Sequence, residues 1–301
     1  KEQLTLPNII DREQLDLVHF PHWNVPIILR TPYVVTIHDL ILLEEPRSST
    51  ATTRSPFVFA AKQIGYHFTL SRALKRARKI ITVSHATQNS ILKFFPKISK
   101  AKISVISEGV TPLHDDNVTS YESLAPYLLT IGNAYPHKNL THLLNAFALI
   151  HTTHPNLRLV IAGRADIFSE RLGNFIARDY AKLSITQIMN PTDEQIASLY
   201  KNATLYIFPS RIEGFGLPGL EAMSAGIPVV ASDIPSLKEI YADAALYAST
   251  TDCQHLASVI MLALNDDKVR QSLISAGHKR ILNFSWRKMA QKMKNLYETS
   301  S

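Results

Sequence analysis

Between Leu205 and Ser232 the chain passes from strand to loop to short helix and back to strand. Leu205–Phe208 is an apolar run of strand type, and 229–231 (Val-Val-Ala) is another. Pro218 suits the first position of a helix, where a missing N–H costs nothing. Gly226 suits the left-handed residue that stops one. The helix between them spans about two turns, roughly 12 Å. A strand–helix–strand order argues for parallel pairing and therefore for an α/β sheet.

The same alternation runs along the chain. Strand patterns fall at 17–20, 33–38, 80–83 and 103–106, then at Tyr127–Ile131, 157–162, Leu205–Phe208, 229–231 and 245–247. Helical patterns occupy 57–79, Leu140–His151, 168–183, 193–201, 253–264 and 267–282, with a last helix over Trp286–Glu298. A stretch rich in Asp, Asn, Pro and Ser at 111–125 reads as a linker. For 301 residues two domains are expected. They are placed at 1–115 and 124–285, with a final helix over 286–301. The second reads as a full Rossmann-like unit. The first is short of strands and opens on a polar segment.

Composition narrows the setting. No run approaches the ~20 apolar residues of a membrane span. One cysteine, Cys253, excludes an internal disulfide and a cysteine-based zinc site, which suits a reducing cytoplasm. The net charge of +7 is local. No Asp or Glu occurs between Glu45 and Glu108, while twelve Lys and Arg do. In the 57–79 helix, Arg72, Lys75, Arg76 and Lys79 share one face, and Leu70, Ala73, Leu74 and Ala77 the other. That fits a helix docked on an anionic membrane surface, and equally a solvated basic face over an ordinary core. No nucleic-acid motif accompanies the charge, so nucleic acid is not an expected partner.

Two carboxylates, Glu213 and Glu221, flank the loop and short helix. The helix follows Gly214-Phe215-Gly216, so its unpaired N–H groups face a loop of little bulk, an anion site by geometry and dipole. Ligands in open α/β sheets sit at the carboxyl ends of strands, where this loop lies. A carboxylate there is expected to be ionised, an acceptor pair matched to the vicinal diol of a sugar or ribose. A second element runs Gly132-Asn133-Ala-Tyr-Pro-His-Lys138, a strand end, a loop and a helix start. Lys138 reads as a mobile point charge suited to a diphosphate. Arg164 follows the strand at 157–162. His38 and Asp39 end another strand, where Asp39 suits a cap. Ser84 reads as a helix cap, and Thr192 or Asp193 as another.

The string from Phe208 to Ser232 resembles the E-x7-E motif of retaining glycosyltransferases of the two-Rossmann-domain (GT-B) type, family 4, also called glycosyl transferases group 1. The resemblance covers nearly all of the chain and implies two Rossmann-like domains with parallel sheets facing across a cleft. The first is incomplete by that comparison, so the chain is expected to be amino-terminally truncated. Glu213 and the backbone of Gly214, Phe215, Gly216 and Leu217 would hold the donor sugar. Glu221 would bind the ribose, Ile188 and Met189 would lie near the base, and Gly132, Asn133 and Lys138 would meet the diphosphate. The family commonly has Arg where Asn133 stands, and Arg164 is the candidate replacement. His38 would face the donor sugar.

The resemblance implies transfer of a hexose, with retention, from a nucleoside-diphosphate sugar to a glycan or lipid-linked hydroxyl, with His38, Lys138 and Glu213 as the catalytic set. Pro136-His-Lys-Asn139 resembles the mannosyltransferase-like branch, which favours GDP-mannose. No cofactor and no metal are expected, since no Asp-x-Asp motif precedes the site. The expected location is cytoplasmic, with peripheral association at the inner face of the plasma membrane as one reading of the basic stretch. A non-catalytic sugar-nucleotide-binding fragment, a sugar phosphorylase and a GT-B sugar-nucleotide epimerase stay open as alternatives.

Overall fold

A computed structural model describes residues 2–46, 56–111 and 121–300. Arg47 and Arg54 of the basic stretch, and 112–120 of the expected linker, lie outside the described residues. Two compact units emerge, Lys1–Gly109 with Trp286–Ser301, and Val110–Ser285.

The first unit begins with α1 (Glu2–Arg12), β1 (Val18–Phe20), β2 (Tyr33–Ile37) and α2 (Ile41–Glu44). It continues with α3 (Pro56–Arg76), β3 (Lys79–Thr82), α4 (His85–Phe94) and β4 (Ile103–Val105). The strands form a four-stranded parallel sheet in the order β1-β2-β3-β4. Helix α1 stands where the sequence reads as a polar segment leading into a strand. Its apolar residues are few, but Leu6 and Ile10 are four apart and pack into the unit's core. Gln3 adds a tie, its Oε1 accepting from Ile27 N at 2.9 Å.

Helix α3 buries Leu70, Ala73 and Leu74, and Ala77 just beyond its end. Its basic face is shorter than expected, because Lys79 belongs to β3, opposite Val34. Arg72 and Arg76 both donate to the carbonyl of Ile27, at 2.9 and 3.2 Å. Upstream on the same helix Ile64 and Phe68 are 72% and 56% exposed.

The second unit comprises β5 (Tyr127–Ile131), α5 (Leu140–His151), β6 (Arg158–Gly163), α6 (Ile167–Asp179), β7 (Ile185–Met189) and α7 (Asp193–Asn202). There follow β8 (Leu205–Phe208), α8 (Leu217–Ser224), β9 (Val229–Ser232), α9 (Pro235–Tyr241), β10 (Ala245–Ala248), α10 (Cys253–Asn265) and α11 (Asp267–Ile281). Its six-stranded sheet has the order β10-β9-β8-β5-β6-β7, every neighbouring pair parallel. The chain winds outward from β5 through β6 to β7, then returns to the other side of β5 at β8. The order thus reverses between β5 and β8, the switch point at which such sheets open a crevice.

Strand β7 escapes the apolar-run pattern because Thr186 and Gln187 interrupt it, and an edge strand half-buried along its length tolerates both. Helix α6 stops at Asp179, short of the expected 183, where the chain turns with Leu183 N donating to Tyr180 O. The last helix, α12 (Trp286–Glu298), belongs to the first unit. Its Met289, Met293, Leu296 and Tyr297 pack with Leu17, Val34, Ile81 and Ile106. Gly109 permits the start of α12 to come close, since a Cβ there would lie 2.3 Å from Trp286 N.

Candidate active site

The carboxyl ends of β5 and β8 frame a pocket whose walls include Thr130, Gly132, Asn133, Lys138, Phe208 and Ser210. Backbone geometry shapes it first. Gly132 has φ +148°, a value that favours glycine, and its carbonyl leaves no room for a side chain at Gly163, whose Cβ would lie 2.1 Å from that oxygen. The chain then makes a tight turn over Pro136–Lys138 and enters α5 through Asn139 at φ +59°. Asn139 is a clasp. Its Nδ2 donates to Thr250 O at 2.9 Å, and its Oδ1 accepts from Arg211 Nη1 at 3.1 Å. Arg211 N also donates to His137 O at 2.8 Å. The loop after β8 is thereby tied to the loop after β5.

That tie brings Lys138 and Glu213 together, Nζ to Oε1 2.6 Å, with side chains 20% and 11% exposed. The ammonium also lies 5.4 Å from the centre of the Phe208 ring. Lys138 is therefore held, rather than the mobile charge its sequence position suggests. A pair this sheltered is screened less than a surface one, and removing either partner strands the other charge.

Beyond Glu213 the loop narrows over glycines. Gly216 has φ +105°, and its carbonyl accepts from Tyr241 Oη at 2.6 Å. A Cβ on Gly216 would stand 2.5 Å from that hydroxyl, and one on Gly219 would stand 2.3 Å from it. Phe215 is buried, edge-on to Phe284 at 5.6 Å. Leu217 opens α8.

Glu221 lies a turn into α8 rather than at its start. The single Tyr200 hydroxyl proton is shared between two acceptors, Glu221 Oε2 at 3.1 Å and Pro218 O at 3.0 Å. Burial raises the Glu221 carboxyl above the ordinary carboxylate range, and the Tyr200 hydrogen bond opposes that rise. The expectation of an ionised carboxylate held by a helix N-terminus thus meets a different setting, a half-buried group positioned by a tyrosine.

Ile188 and Met189 end β7, both half-buried. Arg164 follows β6 and is exposed. Its loop is tied by Asn190, whose N donates to Gly163 O at 2.7 Å and whose Oδ1 accepts from Ala165 N at 2.8 Å. Arg164 is not among the residues lining the pocket that holds Lys138.

His38 belongs to the first unit. Its Nδ1 faces Glu108 Oε1 at 3.0 Å and its Nε2 faces Pro21 O at 3.1 Å. Two acceptors suit a ring that donates from both nitrogens, the imidazolium. The Glu108 hydrogen bond chiefly raises the His38 pKa, against burial. His19 bonds Thr36 Oγ1 at 2.8 Å and Tyr297 Oη at 2.7 Å, and burial, then the charge on His38, lowers its pKa. Asp39 accepts from Ile41 N at 3.1 Å. Ser84 caps α4 through Thr87 N, and Thr192 caps α7 through Gln195 N.

Glu108, Tyr200 and Tyr241 have no counterpart in the sequence reading. Glu108 is the first acid after the acid-free run, the one signal available for it. The tyrosines sit among apolar neighbours and read as core.

Residues 118–280 match the family model of Glycosyl transferases group 1, and residues 2–112 match that of Glycosyltransferase Family 4. The chain is 31% identical over 292 residues to O-antigen chain mannosyltransferase B of Escherichia coli, covering 94% of itself and 74% of that protein. It is 30% identical over 230 residues to O-antigen chain mannosyltransferase RfbU of Salmonella typhimurium, covering 75% of itself and 63% of that protein. The fold is shared with sucrose-phosphate synthase of Thermosynechococcus elongatus, at 22% identity and a TM-score of 0.79 over 99% of this chain and 79% of that one. Anabaena HepE, solved with UDP-glucose, superposes at 18% identity and a TM-score of 0.78 over 99% and 83%. The chain belongs to the glycosyl transferases group 1 family, and is a glycosyltransferase with two Rossmann-like α/β domains of the GT-B fold.

Proposed function

We propose that the chain moves a hexose, with mannose favoured, from a nucleoside-diphosphate sugar to a hydroxyl of a glycan or lipid-linked acceptor, with retention and without a divalent metal. The observation that carries this reading is the convergence of Lys138 and Glu213 at the switch point of the six-stranded sheet. When donor binds, Lys138 leaves Glu213 for the diphosphate, whose charge grows as the glycosidic bond breaks. Glu213 then accepts from sugar hydroxyls. A cation brought to a developing anion lowers the barrier by electrostatic stabilisation. The backbone of Gly214, Phe215, Gly216 and Leu217 lines the sugar, and Glu221, set by Tyr200, takes the ribose diol. Gly132 and Asn133 border the diphosphate, Arg164 supplies a second cation, and Ile188 and Met189 flank the base. His38 orients the sugar.

Mannosyltransferases among the relatives support the sugar, and with it GDP-mannose as donor. Transfer from GDP-mannose, with the product's anomeric configuration read by NMR, tests the reading. Inversion refutes the stereochemistry, and transfer undiminished in Lys138→Ala and Glu213→Ala refutes the site. In a thermal-shift panel of GDP-mannose, UDP-glucose and ADP-glucose, GDP-mannose is expected to raise the melting temperature most.

We propose a cytoplasmic setting as well, with peripheral association at the inner face of the plasma membrane as one reading of the basic stretch. No described helix is long and apolar enough to cross a membrane. Exposed Ile64 and Phe68 on α3, in a stretch without acidic residues, support peripheral docking on anionic lipid. Co-sedimentation with phosphatidylglycerol vesicles tests this. Ile64→Ser with Phe68→Ser should release the protein, and unchanged binding refutes α3 as the contact.

A further inference from the structure

We infer that the Ser210 hydroxyl is a ligand for the donor's diphosphate, a residue that neither the motif nor the family match assigns. The inference rests on the sugar-nucleotide reading of this site. Ser210 is wholly buried. Its Oγ has no hydrogen-bond partner among the described residues. Buried hydroxyls in folded proteins are nearly always paired, so an unpaired one calls for a cause. Thr82 and His151, which also carry such atoms, lie outside the wall of this pocket, whereas Ser210 is part of it, with Lys138, Gly132 and Asn133.

The placement of Ser210 is set by its neighbours. Pro209 stiffens the chain before it. After it, Arg211 N donates to His137 O at 2.8 Å and the Arg211 guanidinium donates to Asn139. These bonds fasten the Ser210 backbone to the turn that carries Lys138. A neutral, directional O–H and an ammonium are thus fixed on one wall at the carboxyl ends of β5 and β8. The pairing suits an oxyanion that needs both charge and orientation. Lys138 supplies the charge, and its present partner Glu213 yields to the incoming anion. Ser210 supplies a donor that fixes which oxygen is bound. A phosphate oxygen fits this better than a sugar hydroxyl, because the ammonium beside it favours an anion.

Calorimetric titration with GDP, and separately with guanosine, tests the assignment on the full chain and its Ser210→Ala, Ser210→Thr and Lys138→Ala variants. Removing an unpaired buried hydroxyl should leave the unliganded melting temperature equal or higher. GDP affinity of Ser210→Ala should fall roughly tenfold, as for loss of one hydrogen bond to a charged group. Guanosine affinity should not change, and Ser210→Thr, which keeps the hydroxyl, should regain part of the GDP affinity. GDP binding to Ser210→Ala at wild-type strength, with Lys138→Ala weakened, overturns the role of Ser210 and leaves the site reading standing. An equal loss for GDP and guanosine, or a lowered melting temperature at unchanged GDP affinity, marks a structural serine and also overturns it. If the unaltered chain binds neither GDP nor UDP, the sugar-nucleotide reading fails and the inference falls with it.

Discussion

The polar groups at the strand ends of the two sheets are held by different means. In the second unit, backbone geometry does most of the placing. Glycines at 163, 216 and 219 let strand ends and a loop approach within distances no side chain would allow, and Gly132 supplies a backbone turn at φ +148°. The charged residues they present, Lys138 and Glu213, meet each other. In the first unit, side chains hold one another. His38 bonds Glu108 between the loops that follow β2 and β4, and His19 links Thr36 of β2 to Tyr297 of α12. The contrast is between a site set by steric room and a cluster set by protonation. The first should be sensitive to a methyl group and the second to pH.

The sharpest way to break that contrast is to remove a charge from the second unit. Lys138→Ala and Glu213→Ala are each expected to lower kcat/KM for hexose transfer by about 10²–10³, the range for loss of one preorganised electrostatic contact. Steady-state rates with GDP-mannose measure it. Next comes the added methyl. Gly219→Ala drives a Cβ into Tyr241, and overpacking of this kind should lower stability by about 1–3 kcal/mol. A lower urea midpoint at unchanged slope would show it. Tyr241→Phe, which removes the hydroxyl but keeps the ring, should recover only part of the loss, because Gly219 also abuts the ring carbons. Full recovery would mean the clash is with the hydroxyl alone.

Tyr200→Phe is milder. It removes the hydroxyl that Glu221 and Pro218 O share, worth about 1 kcal/mol, and should weaken GDP several-fold with little change in turnover. Guanosine titration should show the same factor, since the proposed ribose contact of Glu221 is the one Tyr200 supports.

The smallest effect sits in the first unit and carries a sign. His38 has a folded pKa above its unfolded value of about 6.5. The stability it contributes is fully present below that unfolded value, and is lost as pH rises through the folded one. The urea midpoint should therefore fall across that window. Glu108→Gln should flatten the fall, because Glu108 is the main cause of the raised pKa. His38 is 43% exposed, so solvent screening keeps the effect small. An unchanged slope in Glu108→Gln would dissolve the contrast between the units.

Much of this was legible in the residues. The buried strands of both sheets announce themselves as apolar runs, and Gly226 takes the left-handed conformation its place after a helix demands. Helix α1 and strand β7 were not legible, because each keeps polar residues on a half-exposed element and lets tertiary packing decide. In the site, Lys138 and Glu213 each stand out beside glycines at a strand end. Their mutual contact does not, since the two are far apart in sequence and the clasp through Asn139 and Arg211 depends on the folded sheet. Glu108 and Tyr200 were illegible for the same reason. Each matters through a partner that only the fold delivers.

Helix α12 has a consequence for the order of assembly. It belongs to the first unit, yet it follows the whole of Val110–Ser285. A ribosome releases it only after the second unit has emerged. Until then Val34, Ile81 and Ile106 lack the Met289, Met293 and Leu296 that cover them. The smaller of the first unit's two apolar clusters is therefore completed last, and the nascent chain carries an open apolar face for the time it takes to make the other half.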